Sequence, residues 1–149
     1  MTHIMSDGTP FCFCDIGDAE CRIDSIEEIH STLLLTAWRP IELLSDKLED
    51  AIRRLLSKGA INVICIGQHS EALHDLIDDV IVSMSSDEGS DLLDSVTVWI
   101  EAEEFPGAVR RYIYKHEFDT ENEDSFSLIF IGNTDDRKDK SVFECLMRL

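Results

Sequence analysis

Residues 60–79 read AINVICIGQHSEALHDLIDD, and that run limits the fold more tightly than any other. Ile61, Val63 and Cys65 alternate with Asn62, Ile64 and Ile66, and only Asn62 among them is polar. A strand apolar on both faces must be covered on both, as in a parallel sheet between helices. Gly67 ends the strand, because glycine reaches backbone angles that other residues resist. Ser70 suits an N-cap, and Glu71 then meets the positive end of the helix dipole. Leu73, Leu76, Ile77, Val80 and Ile81 recur at helical spacing as a buried stripe, while Glu71, His74, Asp75 and Asp78 recur on another face.

The same alternation of strand and helix repeats on either side. Residues 32–37, TLLLTA, form an apolar strand stopped by Trp38-Arg39-Pro40, since proline cannot continue a central ladder. Asp46 with Glu49 has the form of a capping box. It opens a stripe of Leu48, Ala51, Ile52, Leu55 and Leu56 that stops at Lys58-Gly59. Residues 83–95 are rich in serine and aspartate and read as an exposed connection. VTVWI at 96–100 is a strand delivering Glu101, Glu103 and Glu104, and a helix starts near Pro106. The run 119–124, DTENED, reads as an acidic linker. A strand over 126–131 and a helix from about Lys138 complete the chain.

Ahead of these, residues 1–10 read as a loose tail. Residues 11–16 and 19–23, with Gly17-Asp18 between them, have the pattern of an edge hairpin. The expected architecture is therefore a single α/β domain over 32–149, preceded by an N-terminal tail and hairpin over 1–31. It is a three-layer sandwich with a mostly parallel four-stranded sheet of Rossmann-like or flavodoxin-like topology. The sequence leaves strand order and oligomeric state open.

The chain has 149 residues, 44% of them hydrophobic, enough for one core, and a formal net charge of −18. Such a charge steers basic partners in and opposes contact with nucleic acid or anionic lipid, so direct nucleic-acid binding is not expected. No run of about eighteen apolar residues is present to span a membrane. The N-terminal run lacks the basic start and apolar core of a signal peptide, and a cytoplasmic protein is expected. Of five cysteines, Cys65 and Cys145 sit in apolar patterns. Cys12, Cys14 and Cys21 lack the paired knuckles of a zinc site, and PFCFCDI reads better as a short strand.

In a parallel sheet, ligands bind beyond the carboxyl ends of the strands. Those ends present Trp38 and Arg39, then Gln68 and His69, then Glu101 and Glu103, then Asn133, Asp135 and Asp136. Neither G-x-G-x-x-G nor G-x-x-x-x-G-K-[ST] occurs, and no nucleotide cofactor is predicted. No G-x-S-x-G elbow is present and Cys65 lies inside a strand, leaving no nucleophile. The remaining enzymatic idea is a divalent metal. Glu71, His74, Asp75 and Asp78 share a helix face that His69 or Glu101 would extend into an oxygen-rich set. Against it, any surface helix of so acidic a chain carries acids.

The run E-x-x-H-D-x-x-D at 71–78, with Trp38-Arg39-Pro40 and the acidic exit of VTVWIE, resembles a group of small uncharacterised bacterial α/β proteins from Thr32 onward. The resemblance implies a bacterial origin and a fold, and no chemistry. The favoured reading of function is a non-catalytic acidic module docking on a basic protein, of the immunity, antitoxin or adaptor kind. The alternative is a small metal-assisted hydrolase or transferase built on His69, His74, Asp75 and Glu101. A third is mimicry of nucleic acid by surface carboxylates.

Overall fold

A computed structural model describes residues 2–6, 8–15, 32–40, 46–59, 62–88, 96–107 and 128–149. The elements in chain order are β1 (Thr2–Ile4), β2 (Pro10–Asp15), β3 (Thr32–Thr36), α1 (Asp46–Ser57), β4 (Asn62–Ile66), α2 (Ser70–Glu88) and β5 (Val96–Ile100). A 3-10 turn (Ala102–Glu104), β6 (Leu128–Gly132) and α3 (Arg137–Arg148) follow. The six strands form one sheet in the order β1-β2-β6-β3-β4-β5. All neighbours are parallel except β1 and β2, which are antiparallel.

Among the described residues the sheet has six strands, not the four expected. The two extra strands come from the N-terminus, where the tail reading fails: Thr2–Ile4 is a strand paired with Pro10–Asp15. The turn between them closes through Met5 N–H to Thr9 O and Gly8 N–H to Met5 O. An edge hairpin exists, but its first arm precedes Phe11. The expected second arm at 19–23 lies outside the described residues, as do Cys21 and the 119–124 linker. β2 does not close a separate unit; it pairs in parallel with β6, Phe11 opposite Leu128. Strand order also departs from a flavodoxin-like sheet, because β6 returns to fill the place between β2 and β3.

Alternation along the strands builds two cores. Leu33, Leu35, Val63, Cys65, Ile129 and Ile131 point to one face and meet the stripes of α1 and α2. Leu34, Ile64, Ile66, Ile100, Leu128 and Phe130 point to the other and meet Val142 and Leu146 of α3. β3, β4 and β6 are buried along their full length apart from the partly exposed Thr36, as their unbroken apolar runs require. Each leucine or isoleucine so buried stabilises the fold by about 1.5–3 kcal/mol. The α2 stripe continues through Met84, which is buried. That contact carries the helix to Glu88, so residues 83–88 are helix and not the connection their serines suggested. Around the N-terminal hairpin, the His3 ring stacks edge-on against Phe143 of α3 at 4.8 Å, and Ser6 Oγ donates to Arg148 O at 2.9 Å. Among the described residues no helix is long and apolar enough to cross a membrane.

Candidate functional site

The exits of β3 and β4 are laced together. Ala37 N–H donates to Ile66 O at 2.7 Å, and His69 N–H donates to Ala37 O at 2.9 Å. Gly67 makes this approach feasible. Its φ is +118°, and a Cβ there would lie 2.6 Å from Ala37 O. Ser70 opens α2 but ties it to the next strand: its buried hydroxyl donates to Ile100 O at 3.4 Å. The sequence suggested an N-cap at Ser70; the residue whose carbonyl accepts the first helical bond, from Leu73 N–H, is His69.

On the other side of β3, one carboxylate gathers three elements. Asp139, in the first turn of α3, is 4% exposed. Its Oδ1 accepts from Thr36 Oγ1 at 2.7 Å and from Trp38 Nε1 at 2.9 Å. Its Oδ2 accepts from Asn133 N–H at 2.8 Å. β3 is followed by a helix on one face of the sheet and β6 by a helix on the other, so Asp139 stands at the point where strand order reverses. Asp136 is the N-cap of α3, its Oδ1 accepting from Lys138 and Asp139 N–H. Asp135 donates its N–H to Asn133 Oδ1 at 2.9 Å, within the turn that leads there.

These contacts fix Trp38. Its indole N–H is held by Asp139, and its Cε3 stands 3.0 Å from where a Gly67 Cβ would be. Lys138 Nζ stands over the ring at 5.3 Å from the centroid. The ring thereby forms one wall of an open cleft of about 890 Å³ at the carboxyl edge. Gln68, Ser70 and Glu71 line the cleft from the β4 exit, and Trp99, Glu101 and Glu103 from β5 and its 3-10 turn. Phe105 and Pro106 line it beyond that turn, and Val142 and Cys145 from α3. Glu71, Glu101 and Glu103 are exposed, as is Trp99 at 45%. Lys138 is the only basic residue among the described ones that line it.

The structure thus brings together Trp38, Gln68, Glu71, Glu101 and Glu103 of the residues singled out in the sequence. Arg39 is exposed beyond Trp38 and does not line the cleft, nor do His69, Asp135 and Asp136. His74, Asp75 and Asp78 lie further along α2 and form a separate group. The His74 ring has Nδ1 3.2 Å from Asp75 Oδ1 and 3.6 Å from Asp78 Oδ2. Its Nε2 is 3.1 Å from Thr97 O, tying α2 to β5. Among the described residues no group of three or more histidines, cysteines, aspartates or glutamates is placed to hold a metal ion. The Cys65 thiol is pushed well up from its ordinary range, chiefly by burial and secondarily by the charge of Asp78, which leaves it a poor nucleophile. Cys12 and Cys14 share a buried face of β2, their sulfurs 3.8 Å apart.

Sequence reasoning missed Lys138 and Asp139. Both sit in the first turn of a helix, where an acid reads as a dipole partner and a lysine as surface.

A family profile described as a domain of unknown function (DUF7684) matches residues 22–143. The chain belongs to that family. No curated protein matches the chain. The DUF7684 region takes in every cleft residue except Cys145 and leaves β1 and β2 outside it.

Proposed function

We propose that this DUF7684 protein is a non-catalytic binding module that docks on a basic protein partner, with the cleft at the carboxyl edge of the sheet as its docking site. It works in a bacterial cytoplasm as an immunity- or antitoxin-type cover for a cationic protein, or as an adaptor. The observation that carries this reading is the clustering of Glu71, Glu101 and Glu103, all exposed, around a cleft walled by both tryptophans of the chain. Carboxylates at a rim attract and orient a basic partner at long range, and aromatic walls supply contact area once it has arrived. The overall charge of −18 acts in the same direction.

The test is calorimetric titration with a basic decapeptide at low and high salt. We expect affinity to fall as salt rises, and to fall about tenfold in the triple variant Glu71→Gln, Glu101→Gln, Glu103→Gln. A control variant, Asp50→Asn with Asp79→Asn, removes exposed acids away from the cleft and should change affinity much less. Equal effects of the two variants would show that charge alone, and not this rim, attracts the peptide.

A further inference from the structure

We infer, resting on the docking reading above, that the anchor the cleft accepts is an arginine side chain of the partner, stacked on Trp38, and that Lys138 is a built-in competitor occupying that place in the free protein. Trp38 is oriented before any ligand arrives. Its indole N–H is committed to Asp139 and its Cε3 lies close against Gly67. The cation above the ring is therefore the clearest sign of what the ring attracts. Lys138 Nζ lies 5.3 Å from the centroid, within the range over which a ring quadrupole attracts a positive charge.

Two features make that internal cation displaceable. Lys138 is exposed and belongs to the first turn of α3, where the helix dipole disfavours positive charge. It is also a strongly hydrated ammonium, whereas a guanidinium is planar, more weakly hydrated, and able to stack and to donate a fork of two N–H groups to a carboxylate at once. Glu71, Glu101 and Glu103 line the same cleft and supply acceptors for that fork. A lysine from a partner has no such advantage over Lys138. The cleft therefore selects arginine over lysine, and the selection is made at Trp38.

The experiment compares acetylated, amidated tetra-arginine, tetra-lysine and tetra-citrulline peptides on the full chain, by calorimetry and by the indole N–H signals in heteronuclear NMR. Trp99→Phe assigns the two indole peaks. We expect tetra-arginine to bind about threefold tighter than tetra-lysine, citrulline to bind not at all, and the Trp38 indole signal to move. Lys138→Met should tighten tetra-arginine binding by about a further threefold. Lys140→Met, which removes an equal charge from the same helix, should tighten it less. Equal affinity for the arginine and lysine peptides, identical effects of the two methionine variants, or a stationary Trp38 signal would each overturn the arginine assignment while leaving acidic docking intact. Failure of both cationic peptides to bind would overturn both readings. Trp38→Phe, which keeps an aromatic wall with a weaker quadrupole, should reduce the arginine preference without removing lysine binding.

Discussion

At the β3–β6 end of the sheet's carboxyl edge, the carboxylate of Asp139 is buried and accepts from Thr36, Trp38 and Asn133. At the β4–β5 end, Glu71, Glu101 and Glu103 stand in water around a cleft. The two ends lie side by side and contain the same chemical group, yet the group does opposite work. A buried carboxylate with three donors is held by charge-assisted bonds, and removing it strands those donors. An exposed one contributes little to stability and remains available to a partner. Net charge alone, at −18, does not distinguish these roles; position along the edge does.

The largest effect should come from breaking the buried end. Asp139→Ala leaves Thr36 Oγ1, Trp38 Nε1 and Asn133 N–H without their acceptor and should cost about 3 kcal/mol in urea denaturation. Asp139→Asn keeps one acceptor oxygen and should cost roughly half as much. A loss below about 0.5 kcal/mol for the alanine variant would mean that the two ends do not differ as described.

Next, Gly67→Ala should destabilise by about 2 kcal/mol, because the new methyl collides with Ala37 O in a backbone conformation that L residues rarely adopt. Since this turn sits between the two ends, the same variant should also displace Trp38, seen as a change in its fluorescence.

Alkaline pH gives a smaller effect with a definite sign. The folded Cys65 thiol titrates far above its unfolded value of 9.0. Below that value both states hold the proton and the contribution is fully present. As pH rises past it, only the unfolded state ionises, and stability falls by about 1.4 kcal/mol per pH unit. The difference in urea midpoint between pH 8 and pH 10 should therefore shrink in Cys65→Val. An unchanged difference would place the alkaline loss elsewhere.

The smallest stability change belongs to the exposed end. Glu101→Gln with Glu103→Gln should move stability by less than about 0.5 kcal/mol while weakening basic-peptide binding. A large loss of stability would show that these acids are structural after all.

Much of the framework was legible because burial on two faces writes itself as unbroken apolar runs: β3 and β4 lie within the segments so read, β6 runs one residue past its segment to Gly132, and β5 follows the alternating VTVWI. β1 was not legible. Three residues, Thr2–Ile4, are too few to show a period, and their partner β2 reads equally well as one arm of a later hairpin. Strand exits pointed to Trp38, Gln68, Glu101 and Glu103, which line the cleft, since a parallel sheet gathers the ends of its strands at one edge. Lys138 and Asp139 escaped because they reach that edge from the helix after β6. Their placement depends on strand order, which no local pattern encodes. His74 shows the converse error. Its spacing with Asp75 and Asp78 was read correctly, but helical rise carries the group away from the edge and onto the β5 backbone.

The position of β6 between β2 and β3 has a consequence for how the chain is made. The β1–β2 hairpin leaves the ribosome before β3, β4 and β5, yet the neighbour that joins it to the rest of the sheet is the last of the described strands to emerge. Until residues 128–132 appear, β2 and β3 each carry an open flank, and both stay vulnerable to pairing with another nascent chain. Truncation before β6 should therefore leave an aggregating fragment, even though most of the chain has been synthesised.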